Sequence, residues 1–137
     1  MNYIKLFEGY YTDRINQVIK ELKNHMKSDL SDWVTLFSDE LNSIEVSISD
    51  PYLSDNEKIC SVIVFYFKNY LTSEDVEIIW KNYLHMKSTL ESDYDLCLIV
   101  TDRSGDEHSV STSEKIKRHL FKSLESIGDL QILISGK

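Results

Sequence analysis

The sequence predicts one α/β domain over residues 1–137, with a mixed, mostly parallel four-stranded sheet, covering helices and an N-terminal helical pair. Three observations support this prediction. Two helical patterns open the chain, and strand and helix patterns alternate from residue 59 onward. With only 4 glycines and 1 proline, the chain has little material for linkers or for a many-turned all-β fold. A length of 137 residues suits a single domain.

The two predicted N-terminal helices rest on apolar spacing. Thr12-Asp13 supplies a cap, and the stripe behind it predicts a helix over about 12–27. That stripe consists of Tyr11, Ile15, Val18, Ile19, Leu22 and Met26. Residues 33–37 alone would also suit a strand, but we favour a helix over 30–42 because the spacing holds over three turns and Ser31 can cap it.

Two strands of different character follow. Residues 44–48 alternate between apolar and polar side chains, which predicts an edge strand with one wet face, antiparallel to its successor and ended by Pro51. Residues 59–67 are almost continuously apolar. This pattern is typical of a central strand that is covered on both faces.

The rest of the chain alternates between helices and strands. A capping box at residues 72–75 predicts a helix to about residue 91, and a second cap at 111–114 predicts a helix that Gly128 ends. Residues 96–100 and 130–134 are the predicted strands after them. Strands separated by helices in this order predict parallel pairing through right-handed crossovers.

The sequence offers no chemistry of its own, and we predict no catalytic residue, no metal and no cofactor. The loops after the buried strands lack the glycines that bring a backbone close to phosphate. The 4 histidines are dispersed, with no i, i+4 pair and no Gly-x-Ser-x-Gly elbow elsewhere. Cys60 and Cys97 fall in apolar strands and read as buried free thiols, with a disulfide between neighbouring strands as the alternative.

A secondary candidate site lies in the loop 102–108, at the expected carboxyl end of a buried strand, where open α/β sheets place ligands. Its polar side chains are Asp102, Asp106, Glu107 and His108, which could together hold a divalent cation. The competing interpretation is a solvated turn, since Asp-Arg-Ser-Gly is good turn chemistry.

The strongest functional feature is the acidic segment, residues 28–57, which holds eight acids and no Lys, Arg or His. Because the flanking stretches carry +2 and −2, this segment accounts for the net charge of −8. Such a field speeds encounter with a basic protein and repels nucleic acid, and no apolar run is long enough for a membrane span. The predicted partner-binding residues combine these acids with two aromatic anchors: Asp29, Asp32, Trp33, Asp39, Glu40, Glu45, Asp50, Tyr52, Asp55 and Glu57.

In size, charge and composition the chain resembles small acidic toxin-immunity proteins of bacteria, including those of contact-dependent inhibition systems. The resemblance rests on no shared motif and transfers no residue. It implies a non-catalytic protein that occludes the cationic cleft of a basic partner, a nuclease toxin. The alternatives are a small enzyme or ligand-binding domain that uses the loop 102–108, and a regulatory or assembly module. Because the start of the chain shows no secretory signal pattern, we expect a cytoplasmic protein.

Overall fold

The computed structural model describes the backbone of residues 2–137 and the side chains of residues 12–137. Three helices, α1 (Asn2–Glu40), α2 (Ser73–Leu90) and α3 (Glu114–Leu120), are found in this part of the chain. The strands are β1 (Glu45–Ile48), β2 (Tyr52–Leu53), β3 (Ile59–Tyr66), β4 (Tyr94–Asp102), β5 (Glu107–Val110) and β6 (Ile127–Gly136). A short 3-10 turn, Leu124–Ser126, leads into β6.

The six strands form one sheet in the order β1-β3-β6-β4-β5, with β2 paired to the same edge of β3 as β1. Every pairing between the described strands is antiparallel. The prediction of a mostly parallel four-stranded sheet is therefore wrong. The predicted strand at 44–48 corresponds to β1, and its predicted antiparallel pairing with the strand at 59–67, which is β3, is confirmed.

Two features of the topology explain the error. The strands that flank α2 are not neighbours, because β6 lies between them and pairs antiparallel with both. The loop after β4 is a hairpin turn into β5 rather than a crossover. The sequence of β5, Glu-His-Ser-Val, has too few apolar residues to be recognised as a strand. Because this unrecognised strand reverses the chain, β6 is reached in the opposite direction from the one predicted.

The prediction of an N-terminal helical pair is also wrong, because α1 is one helix through the expected break at residues 28–30. The serine that was expected to cap a second helix instead bonds back along the first. Ser31 Oγ donates to the carbonyl oxygen of Ser28 at 3.1 Å, and Thr35 Oγ1 donates to that of Ser31 at 3.2 Å. Both hydroxyls are satisfied inside the helix, so no terminus forms there.

The predicted caps of the later helices are confirmed. Thr72 Oγ1 accepts from the backbone N–H of Asp75 at 3.1 Å, and Ser113 Oγ accepts from that of Ile116 at 3.2 Å. However, α3 ends at Leu120 instead of running to about residue 127. Its inward side chain is Lys117, which is buried, pairs with Glu77 of α2 and lies 5.9 Å from the Trp80 ring centroid.

The helices lie on one face of the sheet, where the core sits. Phe37 of α1 packs edge-to-face on Phe65 of β3, with ring centroids 5.1 Å apart. Alternate residues of β4 and β6 complete this core, with Leu98 and Ile132 fully buried. The other face, here called the open sheet face, is formed by alternate residues of β3 (60–66), β6 (129–135) and β4 (95–101) and their paired neighbours. No element of the described part of the chain packs on it, so β3 is covered on one face only.

Candidate functional site

The structure divides the acidic segment between two sides of the molecule. Asp29, Asp32, Trp33, Asp39 and Glu40 lie on α1, in the helical layer. Glu45 of β1 is registered with Tyr66 and Tyr52 of β2 with Cys60, which places both side chains on the open sheet face. Asp50, Asp55 and Glu57 lie in the loops that flank β2 at the sheet edge. The ten predicted residues are thus not one continuous patch.

Three of these acids have partners within the protein, and two of them, Asp29 and Glu40, join separate elements of the fold. Tyr94 Oη donates to Asp29 Oδ2 at 2.7 Å and ties β4 to α1, with His25 Nε2 3.5 Å from the same oxygen. Glu40 accepts a hydrogen bond from the amide of Asn82 and joins α1 to α2. Asp50 Oδ1 lies 3.7 Å from Lys27 Nζ in an exposed ion pair, which contributes little to stability.

The other five acids are available to a partner. Among residues 12–137, no hydrogen bond or ion pair engages the side chains of these five exposed residues. They are Asp32, Asp39, Glu45, Asp55 and Glu57. Asp32 and Asp39 are seven residues apart and share the solvent side of α1, whereas Glu45 projects from the opposite layer.

The two predicted aromatic anchors differ in their environment. Trp33 is half-buried and packs edge-to-face on His85 of α2, with ring centroids 5.2 Å apart, so it joins two helices. Tyr52 is 41% exposed on the open sheet face. Of the two, Tyr52 is the one that a partner could bury.

The loop 102–108 is a hairpin turn in which the Asp102 carboxylate already accepts hydrogen bonds from other residues of the loop. Asp102 Oδ1 accepts from the backbone N–H groups of Ser104 and Asp106, each at 3.0 Å, and from Ser104 Oγ at 2.5 Å. The Ser104 hydroxyl, followed by the Asp106 N–H, lowers the pKa of Asp102 below its usual range. Gly105 has a positive φ of 99°, as such a turn requires.

The other members of the loop site point apart. His108 Nε2 lies 3.6 Å from Asp102 Oδ2 on the helical side of the sheet. Glu107, the preceding residue in β5, therefore projects from the open sheet face. Within the described residues, no three His, Cys, Asp or Glu side chains are close enough to hold a metal ion. Of the two interpretations of this loop, the turn is therefore the one that the contacts of Asp102 fit.

We expect Asp102→Asn to loosen this hairpin. The amide oxygen keeps an acceptor but loses the charge that strengthens three convergent hydrogen bonds. Hydrogen exchange at Ser104 and Asp106 should accelerate, while exchange in β6 should stay unchanged. Asp106→Asn, whose side chain makes no hydrogen bond among the described residues, is the matched control. Equal exchange in both variants would contradict the role given to the Asp102 carboxylate.

The two cysteines are free thiols in strands that are not neighbours, since β6 separates β3 from β4. Cys60 is buried, with Sγ 3.6 Å from Ser135 Oγ, and Cys97 is half-buried. Burial raises the pKa of the Cys97 thiol, although Lys87 nearby acts in the opposite direction. A thiol that stays protonated is a poor nucleophile.

A cavity of about 480 Å³ lies where α1 leaves the sheet. Met26 and Leu22 of α1 form one wall, and Ile59 and Tyr94 form the other. Farther toward the N-terminus of α1, Ile15, Val18 and Leu22 are exposed, while Ile19 still packs against the core. The apolar stripe that predicted this helix is thus buried at Met26, half-buried at Ile19 and exposed at three further positions, and Tyr11 lies outside the residues whose side chains are described. Its regular spacing does not distinguish the buried positions from the exposed ones.

The comparisons with known proteins add no relative. Neither the protein-family models, nor the curated proteins, nor the solved structures give a significant match to this chain. In the part of the chain that the structure describes, no helix has both the length and the apolar character needed to cross a membrane.

Proposed function

We propose that this protein is a cytoplasmic, non-catalytic binding protein that neutralises a basic partner, and that the partner is a nuclease toxin whose cationic cleft it occludes. The observation that carries the proposal is the set of five exposed acids with no internal partner among the described residues, drawn from a segment without a single basic residue. Carboxylates left free by the fold are available to pair with Lys and Arg of another protein.

The local chemistry supports binding over turnover. The Asp102 carboxylate of the loop 102–108 is engaged in a turn, and burial raises the pKa of the half-buried Cys97 thiol. Neither place combines a nucleophile with a base in the geometry that catalysis needs. The five exposed acids are therefore the feature of the molecule with the clearest functional use.

The proposal is tested by a pull-down from lysate of the source organism, with the tagged protein washed first at low and then at high salt. We expect a stoichiometric basic protein that is retained at low salt and released as ionic strength rises, because screening shortens the reach of the carboxylate field. The captured protein is then assayed for nuclease activity with and without this chain. No basic partner at either salt would refute the proposal.

A second candidate function, an assembly module, is favoured by one observation. The stripe Ile15, Val18 and Leu22 is exposed along α1 beyond the sheet, and exposed apolar stripes of this kind mark interaction sites. Salt separates the two functions. Self-association through this stripe should be nearly indifferent to ionic strength in sedimentation experiments, whereas capture of a basic protein should weaken.

A further inference from the structure

The centre of the open sheet face consists largely of apolar side chains, whereas a solvated sheet face is normally polar. The nearly continuous apolar run in β3 puts Ile63 and Phe65 into the core and leaves Val62 and Val64 on the open side. Val62 is registered with Leu133 of β6 and Leu133 with Cys97 of β4, and Ile99 of β4 lies across the polar Gln131 from Val64. The five apolar residues on the open side are only half-buried, without any covering element in the described part of the chain. The centre of this face is therefore suited to an apolar partner surface.

A row of carboxylates crosses one end of the same face. Glu107 of β5 is registered with Thr101, and Thr101 with Asp129 of β6. On the next strands, Tyr66 is registered with Glu45 of β1, and the β3–β6 pairing places Tyr66 beside Asp129. We call Glu107, Asp129 and Glu45 the acidic row. Asp129 already accepts from the N–H of Leu130 and from Gln131 Nε2, each at 2.9 Å, so Glu107 and Glu45 are the members without an internal partner among the described residues. Two strand spacings separate successive members, so the carboxylates recur about every 9.6 Å across the sheet.

The charges on this face all have one sign at the registered positions. Asp95, at the opposite end from the acidic row, adds a fourth acid. No Lys, Arg or His occupies a paired position on the open side of the described strands. Just outside these positions, Lys137 Nζ lies 3.9 Å from Asp95 Oδ1. An apolar centre with an acidic border is complementary to an apolar surface with a basic border.

We propose that the open sheet face receives an amphipathic α-helix of the basic partner, laid across the strands with its apolar stripe on Val64 and Ile99 and its Lys or Arg side chains on the acidic row. On a helix, residues seven apart are separated by about 10.5 Å along the axis, close to the spacing of the carboxylates. The occupant therefore carries basic residues at i, i+7 and i+14 beside an apolar stripe. Tyr66, 56% exposed between two of the acids, supplies an aromatic contact.

This inference rests on the proposed function, because it names the surface and the structural element through which the basic partner binds. It also selects among the free acids. Glu45 belongs to the docking surface, whereas Asp32 and Asp39 lie on α1 in the other layer and do not. Charge reversal on the two sides of the molecule therefore gives different results.

The test uses a helical peptide of Leu, Ala and Lys that carries lysines at i, i+7 and i+14 beside a leucine stripe. A peptide of the same composition with scrambled order is the control. We expect the periodic peptide to bind more tightly and to shift the amide resonances of Val64, Ile99 and Gln131. In the protein, Glu45→Lys with Glu107→Lys should weaken binding at least about tenfold. Asp13→Lys with Glu21→Lys, the same change of charge on exposed residues of α1 that belong to neither the acidic row nor the five free acids, should change it by less than about twofold.

A third variant probes the apolar part. Val64→Thr keeps the shape and the strand preference of the side chain but replaces one methyl group by a hydroxyl. This change should weaken binding of the periodic peptide several-fold. Resonance shifts confined to α1, equal losses in the two charge-reversal pairs, or no preference for the periodic peptide would each overturn the inference.

Charge reversals at the two groups of free acids, Glu45 with Glu107 and Asp32 with Asp39, also separate this inference from the proposed function in the pull-down. If a basic protein is captured and only the Asp32 and Asp39 reversals release it, this chain does bind a basic partner, but the open sheet face is not the binding site. If no basic protein is captured, the proposed function fails, while the peptide measurement still decides whether the face accepts a basic helix.

Discussion

Replacing Leu30 by alanine should lower the free energy of unfolding by about 3 kcal/mol, whereas the same replacement at Leu22 should change it by less than about 0.5 kcal/mol. The two leucines lie eight residues apart on α1. Leu30 is fully buried in the core, and its truncation removes apolar contacts and leaves a cavity. Leu22 is 51% exposed where the helix has left the sheet, and alanine is the better helix former.

Urea denaturation of the two variants and the parent protein measures both effects, and circular dichroism at low denaturant shows whether α1 stays helical. Because the chemical change is identical, the difference between the variants reports burial alone. Comparable destabilisation at the two positions would contradict the structure, since it would mean that the stripe around Leu22 is packed in the folded protein.

Stability should fall steeply above about pH 10, where unfolded tyrosines ionise. Burial raises the pKa of Tyr83, whose hydroxyl donates to the carbonyl oxygens of Val110 at 3.1 Å and Leu96 at 3.4 Å. Burial, followed by the hydrogen bond to Asp29, likewise raises the pKa of Tyr94. The folded state keeps both protons while the unfolded state releases them, so rising pH favours unfolding. Each group contributes about 1.4 kcal/mol of lost stability per pH unit in this range.

Tyr83→Phe isolates one of these contributions. It should cost about 1 kcal/mol at neutral pH through the lost hydrogen bonds, yet its stability should decline less steeply above about pH 10, by about 1.4 kcal/mol per pH unit. Tyr66→Phe, which removes an exposed hydroxyl from the open sheet face, is the control for the substitution itself. Urea midpoints collected from pH 8 to pH 11 give the slopes. Parallel slopes for Tyr83→Phe and the parent would show that Tyr83 does not keep its proton on folding.

Local structure was largely accessible from the sequence. The caps at Thr72 and Ser113 are correct because a hydroxyl before an apolar helical stripe has few competing uses. The strand around 59–66 is correct because its β-branched run does not suit a helix. These signals depend on residues close in sequence.

Strand order was not accessible, because it depends on residues far apart in sequence. The pairing of Val62 with Leu133 and of Leu133 with Cys97 has no local signature, and strand–helix–strand order is equally compatible with a third strand inserted between the two. The joined helix α1 was missed for a related reason. Ser31 suits an N-cap and an internal back-bond equally well, and the structure shows the back-bond to the carbonyl oxygen of Ser28.

The candidate site shows the same division. The sequence identified the acids, but their distribution over two layers follows from the turn between α1 and β1. Glu107 and Asp129 were outside the predicted patch because they join Glu45 only through strand register. The apolar residues on both sides of β3 are a usable signal for the open sheet face, although the same pattern is typical of a buried parallel strand.

The position of β6 bears on how the chain folds as it is synthesised. This strand is the last in chain order, yet it lies at the centre of the sheet and pairs with both β3 and β4. Until it leaves the ribosome, the two longest earlier strands each have an unpaired edge, and such edges favour misassociation with other chains. The contacts that close the sheet also span long stretches of sequence, which slows folding. Completion of the sheet is therefore a late event, and the nascent chain depends on its final strand for protection from aggregation.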